Sequence, residues 1–201
     1  MSTAPARIDG RTERSRKTRD AVVTAFISLI DKGNVRPTAK QVSEEAGVSL
    51  RSVFQHFADL ESLLAEAADR QVARLRHVFV RIPADLPFAE RLERFAAARA
   101  SVLEEITPVR RAALLQAPFS AEVSRRLKWV RDLNRDEAER LFASELISLG
   151  TAERALAAPA LHAAAEWDNW ETLRHHEGLS PGDAKQVMSH TVRALLRKEE
   201  D

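Results

Sequence analysis

The chain has 201 residues, of which 44% are hydrophobic and 30% are charged, a composition that excludes a disordered or fibrous protein. It contains no cysteine, which excludes disulfide scaffolds, thiolate zinc sites and cysteine nucleophiles. No run of about 18 apolar residues occurs, and the first residues lack the apolar stretch of a signal peptide. We therefore expect a cytoplasmic protein with no membrane partner.

The formal net charge of +1 is unevenly distributed along the chain. Residues 1–58 contain ten Lys and Arg against six Asp and Glu, whereas residues 59–201 contain twenty-one against twenty-four. Five basic residues crowd together near the start of the chain: Arg11, Arg14, Arg16, Lys17 and Arg19. A basic head on a mildly acidic body favours a polyanionic partner at one end, although a solvated basic arm explains the charge equally well.

The first helices are indicated by apolar spacing and by capping residues. A first amphipathic helix ends at Gly33 and has its apolar residues at i, i+3 and i+4 spacing: Val22, Val23, Phe26, Leu29 and Ile30. Thr38 and Gln41 have the spacing of a capping box, which predicts the start of a short second helix. That helix stops at Gly47.

Ser49 is the expected cap of a third helix, with Val53 and Phe57 facing inward. Two short helices joined at a glycine form a helix-turn-helix, and Gly47 suits the left-handed conformation of the turn. The outward residues of the third helix carry base-reading chemistry: Leu50 for a thymine methyl, Arg51 for guanine and Gln55 for adenine, with Ser52 beside them. Thr38 and Lys40 are placed to hold phosphates together with the exposed N–H groups of the second helix. An ordinary helical corner is the alternative.

The rest of the chain also has helical periodicity. Asp59 caps a fourth helix whose apolar stripe extends through Leu75, Val78 and Phe79. The later helices are predicted from about Phe88 to Ile106, briefly after Pro108, from Ser120 to near Gly150, from Thr151 to Gly178 with a kink at Pro159, and from Ser180 and Pro181 to a charged tail. No window alternates like a strand. The expected fold is all-α, with a flexible basic arm at 1–14, a helix-turn-helix domain at 15–58 and a larger helical domain at 59–201.

The run TAKQVSEEAGVSLRSVFQHFADLESLL, within a match covering about residues 15–70, resembles the N-terminal domain of TetR-type one-component regulators. The resemblance implies a DNA-binding transcriptional regulator whose helical body dimerises and binds a small ligand. Our hypothesis is a repressor released from a palindromic operator by a small apolar or amphipathic effector, with an activator as a further possibility. The alternative from a different class is a helical lipophile-binding or scaffolding protein with little useful DNA affinity.

Three residues depart from the pattern of that family. Phe54 stands where a tyrosine is usual and Leu60 where a lysine is usual, while Ser43 replaces a customary alanine. Losing two phosphate contacts per subunit should weaken non-specific binding and flatten its salt dependence, unless the basic arm compensates. The predicted DNA-binding residues are Arg16, Arg19, Thr38, Ala39, Lys40, Ser49, Leu50, Arg51, Ser52, Phe54, Gln55 and His56, the last with a packing role as the alternative.

In the body, Arg99 falls in the middle of an apolar helix face, where it must meet an internal partner or an anionic ligand. The predicted ligand-binding residues are Phe95, Arg99, Val102, Trp129 and Asn134, although a glutamate partner for Arg99 and a water-filled kink at Asn134 are open alternatives. The predicted dimer interface comprises Ala160, Ala163, Trp167, Trp170, Met188, Thr191 and Leu195, unless these faces complete the core of the subunit. Adjacent His175 and His176 point about 100° apart, and neither a nucleophile elbow nor a phosphate loop is present. We expect no metal, no cofactor and no enzymatic activity.

Overall fold

The computed structural model describes residues 10–74 and 81–196, and within these ranges it contains helices and turns but no strand. The helices are α1 Gly10–Asp31, α2 Ala39–Ala46, α3 Leu50–His56, α4 Leu60–Arg74, α5 Phe88–Gln116, α6 Ala121–Leu141, α7 Ala143–Ser148, α8 Thr151–Ala165, α9 Trp167–Glu171 and α10 Pro181–Leu196. A 3₁₀ turn at Ala117–Phe119 follows α5, and a π-helical turn at Thr172–His176 follows α9. The predicted all-α class is confirmed.

The contacts between residues divide the chain into two units. The N-terminal unit extends to Val72 and includes the segment Pro108–Val123, and the second unit contains Ala73–Thr107 and the chain from Ser124 onward. The boundary at residues 58–59 between a helix-turn-helix domain and a ligand-binding and dimerisation domain stays a prediction. Helix α1 begins at Gly10, so residues 10–14 are helical where we expected an arm, while residues 1–9 lie outside the described part of the chain.

Local capping shapes the N-terminal unit as the sequence predicts. Thr38 forms a capping box with Gln41: its Oγ1 accepts from the Gln41 N–H at 3.3 Å, and its own N–H donates to Gln41 Oε1 at 2.9 Å. Gly47 ends α2 in the left-handed region with φ 65°, and the Val48 N–H donates to the Ser43 carbonyl at 3.0 Å, as in a Schellman motif. Ser49 then caps α3.

Helix α4 starts at the predicted cap, since Asp59 Oδ1 accepts from the Ser62 N–H at 2.7 Å. It contributes Leu63, Leu64 and Ala67 to the core of the N-terminal unit, whose other buried apolar residues include Val22, Val23, Phe26, Ile30, Val42, Val53 and Phe57. The last residues of its predicted stripe, Leu75, Val78 and Phe79, lie outside the described residues. The helix-turn-helix is thus attached to α1 and α4 by one apolar core.

The core of the second unit is built around Phe95 and Phe142, whose rings meet edge to face with centroids 5.3 Å apart. Residues of α8 and α10 pack against the same cluster, notably Leu161, Val192 and Leu196. Ser180 caps α10 as predicted, with its Oγ accepting from the Asp183 N–H at 3.1 Å.

The predicted end of the fifth helix near Ile106 is wrong, whereas at Pro159 the sequence predicts a kink within a continuing helix. Pro108 lies inside the continuous α5, and α8 continues through Pro159 to Ala165. A proline inside a helix costs about 3 kcal/mol, but buried residues flank both prolines: Leu103 and Val109 in one helix and Ala157 and Leu161 in the other. Burial of these side chains offsets the missing hydrogen bond.

The actual breaks come at Phe142, where the predicted helix from Ser120 to Gly150 divides, and at Glu166, which has extended ψ of 160°. At each break a backbone carbonyl accepts a hydrogen bond from a buried arginine of α5. Arg91 donates to the Leu141 carbonyl, and Arg99 donates to the Ala165 carbonyl at 2.6 Å from Nη2. The two arginines therefore stabilise the helix ends that a continuous helix would not have.

Candidate nucleic-acid interface

One side of helix α3 is anchored in the core of the N-terminal unit, and the opposite side is exposed. Val53, and Phe57 at the end of the helix, are buried in the core of the N-terminal unit. On the other side Leu50 is 44% exposed and Phe54 is 52% exposed, although both are large apolar side chains. A helix of seven residues held by one face and offering apolar side chains on the other is suited to lie against another surface.

Arg51 and Gln55 lie one helical turn apart and are both exposed. Within the part of the chain that the structure describes, neither side chain has a hydrogen bond or an ion pair. The guanidinium can donate to two acceptors at once, and the Gln55 amide can donate and accept together. The two predicted base-reading residues therefore lie side by side on α3, and their polar groups form no hydrogen bond or ion pair with any residue that the structure describes.

Ser49 and Ser52 begin α3, with hydroxyl oxygens 2.9 Å apart, and the Ser52 N–H donates to Ser49 Oγ at 3.1 Å. The two hydroxyls are therefore used locally to cap the helix. The His56 side chain is half-buried, while its carbonyl accepts from Arg19 Nη1 at 2.9 Å. Both observations are compatible with the packing role that was the alternative for His56.

The start of α2 combines a polar cap with an exposed cation. Thr38 is exposed and Ala39 is half-buried. Lys40 Nζ comes no closer than 3.9 Å to Glu44 Oε1, and both side chains lie largely in solvent. The next acidic residue, Glu45, is occupied differently: hydrogen bonds from Lys32 and Ser28 lower its pKa below its ordinary value. The positive end of α2 is thus left for a partner of negative charge.

Arg36 is a cation at this helix start that the sequence analysis missed. Its side chain is exposed, and among the described residues its guanidinium forms no ion pair. The available signal was its place two residues before the capping box that starts with Thr38.

Arg16 and Arg19 are paired within the N-terminal unit. Two nitrogens of Arg16 donate to Glu13 at 2.9–3.2 Å and lower the pKa of that carboxyl, and Asp20 lies 3.7 Å away. Arg19 donates to Glu66 at 2.9 Å and lies 4.4 Å from the centre of the Phe57 ring. Arg19 therefore ties α1 to α4 and to the end of α3.

Solved structures are similar to this chain, although no family model and no curated protein matches it. A transcriptional regulator from Rhodococcus sp. Rha1 has a TM-score of 0.66 at 17% identity, over 90% of this chain and 95% of that one. A structure assigned to the TetR family from Mesorhizobium loti has a TM-score of 0.54 at 21% identity, over 93% and 96%. A TetR-like regulator from Rhodococcus sp. RHA1 has a TM-score of 0.55 at 17% identity, over 98% and 100%.

This chain has the TetR fold. The expected division into an N-terminal helix-turn-helix followed by a larger helical part is confirmed. At these identities the similarity defines the architecture, so what the TetR fold does in this protein has to be argued from its own residues.

The five predicted ligand-binding residues do not share one environment. Arg99 contacts Asn134, whose Oδ1 accepts from Nη1 at 2.9 Å, while Phe95 and Val102 are buried apolar residues. Trp129 is 58% exposed. A cavity of about 390 Å³ in the second unit is lined instead by Ala100, Ser101, Glu104, Glu105 and Pro181. Among the five residues, the structure joins Arg99 and Asn134 by a hydrogen bond.

Three of the predicted interface residues are buried inside the single chain: Trp167, Trp170 and Met188. Trp167 Nε1 donates to Thr107 Oγ1 at 3.0 Å and Trp170 Nε1 donates to Glu104 at 3.2 Å, so the indoles complete the core of the subunit, as the alternative held. Ala163 is exposed, and three more of the set are half-buried: Ala160, Thr191 and Leu195.

The histidines of the second unit do not form a metal centre in the described part of the chain. His175 and His176 stack edge to face with ring centroids 5.5 Å apart, and no group of three or more potential ligands converges in residues 10–74 and 81–196. In the same residues, no helix combines the length and the apolar character needed to cross a bilayer.

Proposed function

We propose that this protein is a sequence-specific DNA-binding transcriptional regulator that reads the major groove with α3. The observation that carries the proposal is the exposed pair Arg51 and Gln55, presented beside exposed Leu50 on a helix whose other face is anchored by Val53. An arginine that donates to guanine O6 and N7, and a glutamine that pairs with adenine, are the side-chain contacts that distinguish base pairs there. Leu50 supplies apolar contact to a thymine methyl.

Phosphate contacts at the start of α2 fix the register of α3 on the duplex. The N–H groups of Ala39 and Lys40, the Thr38 hydroxyl and the Lys40 ammonium face a phosphate together in this proposal. The exposed Phe54 cannot donate to a phosphate as a tyrosine would, so it contributes apolar contact to sugar or base instead. We therefore expect fewer salt-dependent contacts per subunit than in regulators that carry a tyrosine in place of Phe54 and a lysine in place of Leu60.

The protein acts as a homodimer in this proposal. The outer faces of α8 and α10 offer apolar residues that the subunit itself leaves accessible, including Leu156 at 74% exposure, Ala163 and Val187. Ala160, Thr191 and Leu195, from the predicted interface, lie half-buried along the same helices. Small residues in such a stripe permit close approach of helices from two subunits. A dimer also matches a palindromic site with half-sites about 34–36 Å apart.

The proposed regulation is repression relieved by a small apolar or amphipathic effector. Only three residues separate the end of α3 at His56 from the start of α4 at Leu60, so a displacement of α4 is transmitted along the chain to α3. An effector has this result only if it binds the released arrangement more tightly than the DNA-bound one.

The test is selection of bound sequences from a randomised double-stranded DNA pool at two salt concentrations, using the full chain and Arg51→Ala. An enriched palindrome that loses information at one base pair per half-site in the variant supports the proposal. Weak, salt-sensitive binding without enrichment would overturn it and favour the alternative, a helical protein that binds lipophiles or acts as a scaffold.

A further inference from the structure

The N-terminal unit contains a cavity of about 300 Å³ next to the start of α2. This volume lies at the lower end of the range for small-molecule sites, which runs from about 300 to 1,000 Å³. Its apolar wall comes from α1, the α1–α2 connection, α4 and the part of α5 that belongs to this unit: Phe26, Val35, Pro37, Leu60, Leu64 and Ala112. The cavity therefore favours the hydrocarbon part of a small ligand.

Two long polar side chains, those of Arg36 and Gln116, line the cavity. Within residues 10–74 and 81–196 neither the Arg36 guanidinium nor the Gln116 amide has a hydrogen-bond partner or an ion pair. Thr38 and Ala39 also line the cavity, which places the positive end of the α2 dipole beside it. No Asp or Glu is among the lining residues that the structure describes, so the polar end of the cavity is suited to an anion.

We infer that this cavity binds a small apolar carboxylate, and that its occupancy opposes DNA binding. The carboxylate pairs with Arg36 and accepts from Gln116, and the hydrocarbon part lies against Leu60, Leu64 and Ala112. The bound negative charge stands beside Thr38 and Ala39, where the proposed function puts a DNA phosphate, and like charges at one helix start repel each other. The second half of the inference rests on the proposed function, whereas the first half does not.

The binding half is tested on the full chain without DNA, by following backbone amide resonances during titration with phenylacetate, octanoate and 1-naphthoate. We expect saturable shifts at Ala39, Ala112 and Gln116 with at least one of the three carboxylates. Phenylacetamide, which has the shape of phenylacetate without its charge, should bind at least tenfold more weakly than the acid.

Two variants and a matched control locate the site. Arg36→Gln removes the charge from an exposed side chain, and Leu60→Phe fills the cavity from its half-buried wall; each should weaken carboxylate binding at least tenfold. Arg14→Gln removes an equally exposed charge from α1, where Arg14 Nε donates to the Gly10 carbonyl at 3.1 Å, and should leave carboxylate binding unchanged. Unaltered thermal unfolding of each variant shows that the losses are not due to misfolding.

No saturable shift with any of the three carboxylates would overturn the inference, as would equal binding of phenylacetamide or equal losses in Arg14→Gln. The DNA half is measured separately, as the change in DNA affinity at saturating carboxylate. Carboxylate binding that leaves DNA affinity unchanged refutes the competition alone. Carboxylate binding in a protein that has no DNA affinity refutes the proposed function and leaves the site intact.

Discussion

Substitution of Gly47 isolates the backbone conformation of the helix-turn-helix from its packing. Gly47 has φ 65° and ψ 31°, and a Cβ atom built on it would meet nothing within 4 Å. Left-handed geometry costs an L-residue about 1–2 kcal/mol, while the less flexible unfolded chain of an alanine variant returns about 0.4–1 kcal/mol. We therefore expect Gly47→Ala to lower the free energy of unfolding by about 1 kcal/mol, since the two contributions only partly cancel.

The matched variant at the same position is Gly47→Asn, because asparagine adopts the left-handed conformation at little cost. The assay is denaturant unfolding of the wild type and both variants, with the midpoint compared at constant slope. Alanine should lower the midpoint clearly and asparagine much less. Equal losses in the two variants would refute the reasoning, because they would show that the added side chain, and not the φ angle, is opposed.

Three further predictions concern DNA recognition and the second unit. Arg51→Ala should cost about 1–3 kcal/mol on the selected operator and little on random DNA, as measured by equilibrium titration; equal losses would remove Arg51 from base reading. Arg91→Ala should lower the free energy of unfolding by about 3–5 kcal/mol, since Arg91 holds Glu145 at 2.5 Å and both side chains are largely buried; a loss below about 1 kcal/mol would contradict this. Burial lowers the pKa of His162 below its ordinary 6.5 and outweighs Glu139, whose Oε1 lies 3.0 Å from Nε2. The contribution of the buried, neutral His162 to the free energy of unfolding is complete above pH 6.5 and is lost as the pH falls through the lowered pKa. His162→Gln should therefore flatten the pH dependence of the free energy of unfolding. An unchanged pH profile would refute this assignment.

The helix caps of this protein were predictable from sequence because a capping residue and its partner lie within three or four residues of each other. Thr38 with Gln41, Asp59 with Ser62, and Ser180 before Pro181 all lie where the local patterns indicate. The exposed side of α3 was predictable for the same reason, since helical periodicity alone separates its two faces.

The helix breaks at Phe142 and Glu166 could not be predicted in this way. Each depends on an arginine far away in the chain: Arg91 is 50 residues before the Leu141 carbonyl, and Arg99 is 66 residues before the Ala165 carbonyl. No window of local sequence contains both partners. For this reason the sequence leaves the partner of Arg99 open, because its apolar helix face is visible in the sequence and its carbonyl partner is not.

The tryptophans illustrate a second limit of the sequence. Helical periodicity shows that Trp167 and Trp170 lie on an apolar face, but it does not distinguish a face buried by the same chain from one buried by a partner. The distinction came from the hydrogen bonds that their indole nitrogens make to Thr107 and Glu104 in the same subunit. The outer face of α8, with Leu156 and Ala163, has fewer large apolar residues and therefore shows a weaker hydrophobic periodicity.

Internal pairing decides which cations of the N-terminal unit are available to phosphates. Arg16 is bound by Glu13 through two nitrogens, whereas Lys40 lies 3.9 Å from Glu44 in solvent, a contact worth about 0.2–1 kcal/mol at most. Lys40→Ala should therefore reduce the slope of log K against log salt by about 0.9 per subunit, which is the loss of one phosphate contact. Arg16→Ala should reduce the slope much less, because a phosphate gains little from a cation that a carboxylate already neutralises. Titration of operator DNA across a salt series measures both slopes. Equal reductions would mean that DNA displaces Glu13 from Arg16, and pairing in the DNA-free chain would then be no guide to which cations contact phosphate.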